Sequence, residues 1–459
     1  MIGTRMVYTR KPITGQYKAR LVTLGYEQVE GVDFVEKYSP TGQAAVHRIH
    51  CAVIASEDRE VVQGDISGAF LHAPLDETIY VRVGKEVWKL KKALYGLKQA
   101  PRQWHLHLKK GMVSLGFRAS LVDPDLYIKE VMDGGQMLRL YFFVHVDDFW
   151  LSAPKGRKDL IDEVVVGLQK LYTLREVKEP DVFCGVEVVR NRENRTLKLS
   201  QKLFIQDLLE KWMPSSSVTK DVPATPGVRL SRMGAPLSTS RAREYREVVG
   251  SLLWCSNRTR PDIAQAVGSL TRHYSSPTEE HWKAAMDVLL YLRGTIDFGL
   301  VYGSGSLVGY ADAAYNVTDD AKSYTGFCFI LHGAVISWTS KLQVTVATSV
   351  QHAEYMAAGS AAREGVWLRM VLKEFGFDVS DPTLIYGDCV ASNRLIDNPI
   401  ITPKTKHINV IWHYTREQVE SGELVFEYIS TDKMIADLFT KALPFPAFVK
   451  HRASLGVSL

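Results

Sequence analysis

Cysteine is scarce in this chain and never paired in sequence. Cys51, Cys184, Cys255, Cys328 and Cys389 are spread over 459 positions with no C-x-x-C spacing. That argues against a zinc site or a disulfide framework and fits a reducing compartment. Long apolar runs are missing too, none approaching the roughly 18 residues a membrane-spanning helix needs. The opening residues Met1-Ile2-Gly3-Thr4-Arg5 lack the apolar core of a signal peptide. The expectation is a soluble intracellular chain, in cytoplasm or nucleus, with no membrane partner. Strong charge of one sign is absent as well: a formal net charge of +5 permits a polyanionic partner without requiring one. No internal repeat is visible.

The length implies two to four domains, and 46% hydrophobic with 23% charged residues is ordinary for a globular protein. Fifteen of the twenty-nine residues 214–242 are Pro, Gly, Ser or Thr, the composition of a linker. After it, residues 245–293 carry apolar positions at helix spacing (Val248, Val249, Leu252, Leu253, then Met286, Leu289, Leu290, Leu292). From about residue 300 the pattern turns to strands, then to a long helix over 353–375, a short strand at Leu384-Ile385-Tyr386 and further helix. This alternation implies a compact α/β domain at the C-terminal end.

Two adjacent acids, Asp147 and Asp148, interrupt the apolar runs Leu138–Val146 and Phe149-Trp150-Leu151. The β-branched and aromatic content on both sides reads as a hairpin with the acids at its bend. Asp-Asp is poor chemistry for a tight turn, where positive φ favours Asn-Gly, and neighbouring carboxylates resist joint ionisation. A hard divalent cation removes that conflict, although a solvated surface turn is the simpler reading of the pair alone. A third acid, Asp65, ends the apolar strand Val61-Val62-Gln63-Gly64 just before a helical turn, where an Asp is also an ordinary N-cap. Converging acids from separate strands are what a two-metal phosphoryl-transfer site needs. Between them, residues 88–110 hold seven Lys or Arg and no acid, with Trp88, Tyr95 and Trp104 interleaved. That suits phosphates and base faces, as it also suits a solvated helix face.

Tyr17-Lys18-Ala19-Arg20-Leu21-Val22, Gln63-Gly64-Asp65, Ala69-Phe70-Leu71-His72, Leu94-Tyr95-Gly96-Leu97-Lys98-Gln99-Ala100-Pro101-Arg102 and Val146-Asp147-Asp148 occur in that order. Together they resemble the reverse transcriptase of copia-type LTR retrotransposons, a likeness running from about residue 2 to residue 444. The resemblance implies that Asp65, Asp147 and Asp148 are the metal-binding catalytic acids. It implies further that Phe70 excludes a ribose 2′-OH, that Gly96, with Lys98 beside it, belongs to the loop on the templating base and incoming nucleotide, and that Lys18 and Arg20 contact the triphosphate. Gly185, in Phe183-Cys184-Gly185-Val186-Glu187, falls on the strand that grips the primer end.

Four later acids, Asp312, Glu354, Asp388 and Asp437, follow the order after strand, on helix, after strand, on helix. Singly each reads as a cap or surface charge. Together, with Ser337-Trp338, the stretch Ala361 to Arg369 and Thr405-Lys406-His407-Ile408, they resemble the ribonuclease H domain that follows this polymerase in the family. His407 and His413 match family positions and read as structural.

The implied fold class is α+β: a right-hand polymerase with fingers and palm over 1–213, a linker over 214–243, a helical thumb or connection over 244–300, and an α/β ribonuclease H-like domain over 301–459. The implied activity is RNA-directed DNA synthesis with removal of RNA from RNA–DNA hybrids, using two Mg²⁺ per site with Mn²⁺ as the substitute. Its partners would be an RNA template, a DNA primer, the hybrid and dNTPs. Integrase binding and self-association stay open, as does residence in a virus-like particle. The family's capsid, protease and integrase regions are not in this sequence, which a polyprotein fragment, a processed product or a genomic remnant would each explain. Departures include His145 where the family has Tyr, a segment shortened to Val83-Gly84-Lys85-Glu86-Val87, and Ala314 and His352 near the second acid set. Two alternatives therefore remain: a remnant that only binds nucleic acid, and one that retains hybrid cleavage alone.

Overall fold

The computed structural model describes residues 1–10, 17–318, 320–397 and 410–459. The family stretch at 405–408, including His407, lies outside them. By packing, the chain forms two compact units, residues 1–43 with 59–180 and residues 44–58 with 181–459. Packing thus groups the chain differently from the segment boundaries drawn on sequence.

The first unit is built on an antiparallel sheet ordered Glu60–Asp65, Asp148–Ala153, Gln136–His145, Leu126–Asp133, Arg118–Ala119. Leu140, Phe142 and Val144 alternate onto one face, as the two-residue period of a strand requires. The helices Ala100–Ser114 and Lys158–Leu171 pack there through Trp104, Leu108 and Met112 and through Leu160, Ile161, Val164 and Leu168, spaced to share one helix face. Trp104 is 3% exposed, so this ring of the basic run belongs to the core and is not offered to a base. A second sheet runs Tyr17–Thr23, Ile2–Arg10, Tyr80–Val83, Glu86–Lys89. The shortened segment closes here as a two-residue turn with Val83 opposite Glu86 and Gly84 at φ 61°, the first central position where a type II′ hairpin takes glycine. The sheet is therefore continuous across the deletion.

In the second unit a five-stranded sheet is ordered Ala334–Leu342, Tyr324–Leu331, Val308–Ala314, Thr383–Gly387, Leu424–Tyr428. The first three strands are antiparallel and the last three parallel. Parallel neighbours need crossovers, which the helix Val350–Glu374 supplies between Val308–Ala314 and Thr383–Gly387. Another sheet holds Val182–Phe183, Val186–Asn191, Thr196–Ser200, Gly299–Tyr302 and Val457–Ser458.

The expected helical stretch is three helices, Thr239–Arg258, Ala264–Thr271 and Glu279–Gly294. The first begins inside the segment read as linker, because Ser238 Oγ caps it by accepting from the Arg241 N–H. Arg260 and Pro261 interrupt the run. The wholly buried Arg260 guanidinium is balanced by both Asp262 oxygens and by Thr295, the pairing a buried charge requires. The helix Ala44–Ser56 packs in this unit too: Arg48 donates from Nε to Ile336 O at 2.7 Å and lies 4.1 Å from the Trp338 ring centre.

Candidate functional site

The first acid cluster is made by strand register. Asp65 and Asp148 are directly paired across neighbouring strands, and His145 faces Asp148 on the other side. The hairpin between His145 and Asp148 has two central residues, Val146 and Asp147. The bend is therefore Val-Asp, with Asp148 already in the strand; the expectation that both acids form the bend is corrected by one residue. Val146 has φ 60°, a conformation that is strained for a β-branched residue. Two bonds hold it there. Trp104 Nε1 donates to Val146 O at 2.6 Å, and Ile66 N donates to Asp147 O at 2.8 Å. On the far edge of Asp65, Arg175 N donates to Asp65 O at 2.9 Å while its guanidinium Nη1 lies 3.2 Å from Asp65 Oδ1.

Two of the three carboxyls, Asp147 and Asp148, are costly to ionise. Burial first, then Asp65, pushes Asp147 up, and burial first, then Asp147 and Asp65, pushes Asp148 up to about 6. Asp65 Oδ1 is buried and accepts no hydrogen bond. Hard oxygen donors with mutual repulsion and an unused lone pair fit a divalent cation.

Around this cluster stand other candidates from the sequence. Lys18 and Arg20, two apart on one strand, share a face; Lys18 acts on the Asp147 carboxyl, and Arg20 lies 5.8 Å from the Tyr95 ring centre. Phe70 meets Tyr95 edge-on at 5.1 Å. Gly96 has φ 92°, and a Cβ there would fall 2.2 Å from Thr23 O, so only glycine lets the loop lie against that strand. Lys98 is engaged elsewhere, its ammonium on Gln28 O at 3.2 Å and 5.0 Å from the Phe34 ring centre. Gly185 follows Cys184 in a two-residue hairpin with both at positive φ, and it belongs to the second unit. Arg175 was not singled out from sequence, since an isolated Arg in Leu174-Arg175-Glu176 carries no local signal; Tyr95 was read only as one of the rings in the basic run.

The second cluster gathers Asp312, Glu354 and Asp388, each offering an oxygen within 4.8 Å of the others. Asp312 lies inside the strand Val308–Ala314, Glu354 near the start of the long helix, and Asp388 just past Thr383–Gly387. Asp437 sits on a short 3₁₀ turn, Ile435–Phe439, in place of the expected helix. It joins through its neighbours: Thr440 Oγ1 donates to Asp312 Oδ2, and Lys441 Nζ lies 2.8 Å from Asp437 Oδ1. Gly326, paired with Asp312, makes this possible, since a Cβ would meet Thr440, Phe439 and Ala436 at 2.7–3.0 Å. Burial, then the neighbouring carboxylates, raises Asp312 and Glu354; burial also raises Asp437, against Lys441. Such a set likewise suits a divalent cation. Thr440 and Lys441 escaped the sequence reading; the only hint was the i,i+4 spacing of Asp437 and Lys441. His413 is exposed on the helix Val410–Glu420.

The reverse transcriptase (RNA-dependent DNA polymerase) family profile matches residues 1–226. The Retrovirus-related Pol polyprotein from transposon TNT 1-94 of Nicotiana tabacum is 36% identical over 96% of this chain and 34% of its own length. The transposon Ty5-1 protein of Saccharomyces cerevisiae is 32% identical over 65% of this chain, and 99% of its own length is covered. The chain belongs to the retrotransposon Pol family. It spans about a third of the length of the plant Pol polyproteins it matches. A foamy viral protease–reverse transcriptase structure, in complex with double-stranded DNA, superposes with TM-score 0.53 at 11% identity, covering 94% of this chain and 65% of that one. At that identity the likeness shows a shared fold. Among the described residues, no helix is long and apolar enough to cross a membrane.

Proposed function

We propose that this chain is an RNA-directed DNA polymerase that also cleaves the RNA of RNA–DNA hybrids. The observation that carries the reading is the presence of two separate carboxylate clusters, one at Asp65, Asp147 and Asp148 and one at Asp312, Glu354, Asp388 and Asp437. In the first, the acids would hold two Mg²⁺ ions; bound there, the ions supply charge neutralisation for phosphoryl transfer. The protein's own part is positioning. Lys18 and Arg20 offer adjacent cations on one strand face for a triphosphate, and Phe70 against Tyr95 offers an apolar wall for a deoxyribose. Trp104 and Ile66 hold the turn that aims Asp147. In the second cluster, Asp312, Glu354 and Asp388 would share a divalent site, while Thr440 and Lys441 hold Asp312 and Asp437 in place for attack by water on the RNA strand. In this reading the polymerase parts run up to residue 213 and the ribonuclease part starts at 301.

The test uses a DNA primer on an end-labelled RNA template with Mg²⁺ and dNTPs. Primer extension should be lost in Asp147→Asn/Asp148→Asn and kept in Asp312→Asn/Glu354→Gln, with template shortening showing the reverse dependence. Extension that survives the first pair of substitutions, or no extension by the unmodified chain, sinks the polymerase assignment. Template shortening that survives the second pair sinks the ribonuclease assignment.

A further inference from the structure

A cavity of about 450 Å³ lies in the second unit, outside the motifs that carry the family likeness to the polymerase. It is walled by residues 223–230 of the Pro/Gly/Ser/Thr-rich connection, by the helices Ala264–Thr271 and Glu279–Gly294, and by residues 440–442. Four cations line it, Arg229, Arg272, Lys283 and Lys441; Lys441 is paired with Asp437, and the other three have no side-chain ion pair among the described residues. Of the two acids on the wall, Asp287 is already paired with Lys220 at 2.6 Å, which leaves Glu280 as the opposing charge. Leu270, Val288 and the Tyr324 ring complete the lining.

Unpaired cations converging on a cleft leave their electrostatic demand unmet, and phosphate oxygens meet it with charge-assisted hydrogen bonds. An aromatic and aliphatic wall suits the face of a base. The volume falls in the range of small-ligand sites. The cavity also adjoins the second acid cluster, because Thr440 and Lys441 line it and hold Asp312 and Asp437 as well.

We propose that this cavity is a binding site for a nucleotide phosphate, held by Arg229, Arg272 and Lys283. The phosphate can belong to a free nucleotide or to a nucleic-acid strand; the recognising chemistry is the same. The site does not depend on either acid cluster being catalytically active.

The probe is a fluorescent N-methylanthraniloyl ADP, titrated against the full chain in EDTA so that neither acid cluster can load metal. Arg272→Ala/Lys283→Ala should weaken binding at least ~10-fold, the effect of losing charge-assisted contacts. The salt dependence of log Kd should flatten by about one per cation removed. Arg229→Glu, on the connection and away from the helices, should weaken it too, which keeps the test valid if the double variant folds poorly. Lys18→Ala/Arg20→Ala, at the proposed triphosphate site, should keep the component of binding that Arg272→Ala/Lys283→Ala removes. Equal binding by the unmodified chain, Arg272→Ala/Lys283→Ala and Arg229→Glu, or loss only in Lys18→Ala/Arg20→Ala, overturns the proposal. So does displacement by adenosine as effective as by ADP, since the phosphate would then go unread. Displacement by a short 5′-phosphorylated RNA supports the site with a strand as a source, and displacement by ADP alone supports it with free nucleotide as the source.

Discussion

Replacing Val146 separately by alanine and by glycine should invert their usual order of stability. At an ordinary position alanine is favoured over glycine by about 0.5–1 kcal/mol, because glycine has more freedom to lose on folding. Val146 has φ 60°, where the Cβ of an L-residue costs about 1–2 kcal/mol. Both variants lose the two γ-methyls of a residue that is already 40% exposed, so packing largely cancels between them apart from the Cβ itself. The difference leaves Val146→Gly more stable than Val146→Ala by up to about 1.5 kcal/mol, or a Tm higher by up to about 6 °C for a unit of this size. Urea unfolding of the two variants side by side measures this directly, with unchanged m-values as the control. Alanine more stable than glycine would refute the positive φ, and with it the account in which Trp104 and Ile66 clamp the turn carbonyls to hold a strained Val-Asp bend.

Trp104→Phe keeps an aromatic ring in the core but strips the N–H from Val146 O; a loss of about 2–3 kcal/mol is expected, with primer extension reduced and hybrid cleavage unchanged in parallel assays. Gly326→Ala places a Cβ 2.7 Å from Thr440 Cγ2, so overpacking of about 1–3 kcal/mol should displace the 435–440 turn and abolish hybrid cleavage while extension persists. The pH dependence follows from Asp148, whose pKa is raised to about 6 in the folded chain, against about 3.9 unfolded. The folded state then holds the proton more tightly, so this contribution is present below pH ~4 and lost as pH rises to ~6. In EDTA, Tm should fall over that window less steeply in Asp148→Asn than in the unmodified chain. The comparison matters because the buried Asp125 is also pushed up, to about 7. Added Mg²⁺ should raise Tm more at pH 7 than at pH 5, since metal binds the ionised carboxylates.

Much of the site could be read along the chain because its signals are local. An acid that breaks an apolar run announces a strand end, and so Asp65, Asp147, Asp148 and Asp388 were placed at strand ends without any knowledge of tertiary contacts. The long helix around Glu354 was legible from periodicity alone, and the composition of residues 214–242 marked a break there, although the helix Thr239–Arg258 begins inside it. The misreadings share one cause, a dependence on partners distant in sequence. Trp104 looked like a ring for a nucleic-acid face until the core around Phe142 and Tyr172 claimed it. The bend moved by one residue because register is set by pairing with Glu60–Asp65 as well as by the turn.

The sequence by itself determined which residue types could carry the chemistry, the family, and the order of strands and helices, because periodicity, charge and turn residues act over a few positions. Only the tertiary structure decided which acids meet. Arg175 reaches Asp65 across 110 positions and Thr440 reaches Asp312 across 128, and the cavity cations come from the connection, the C-cap of one helix, a second helix and residue 441. Such groupings follow from sheet register and helix packing, where a side chain's partner is set by geometry and not by proximity along the chain.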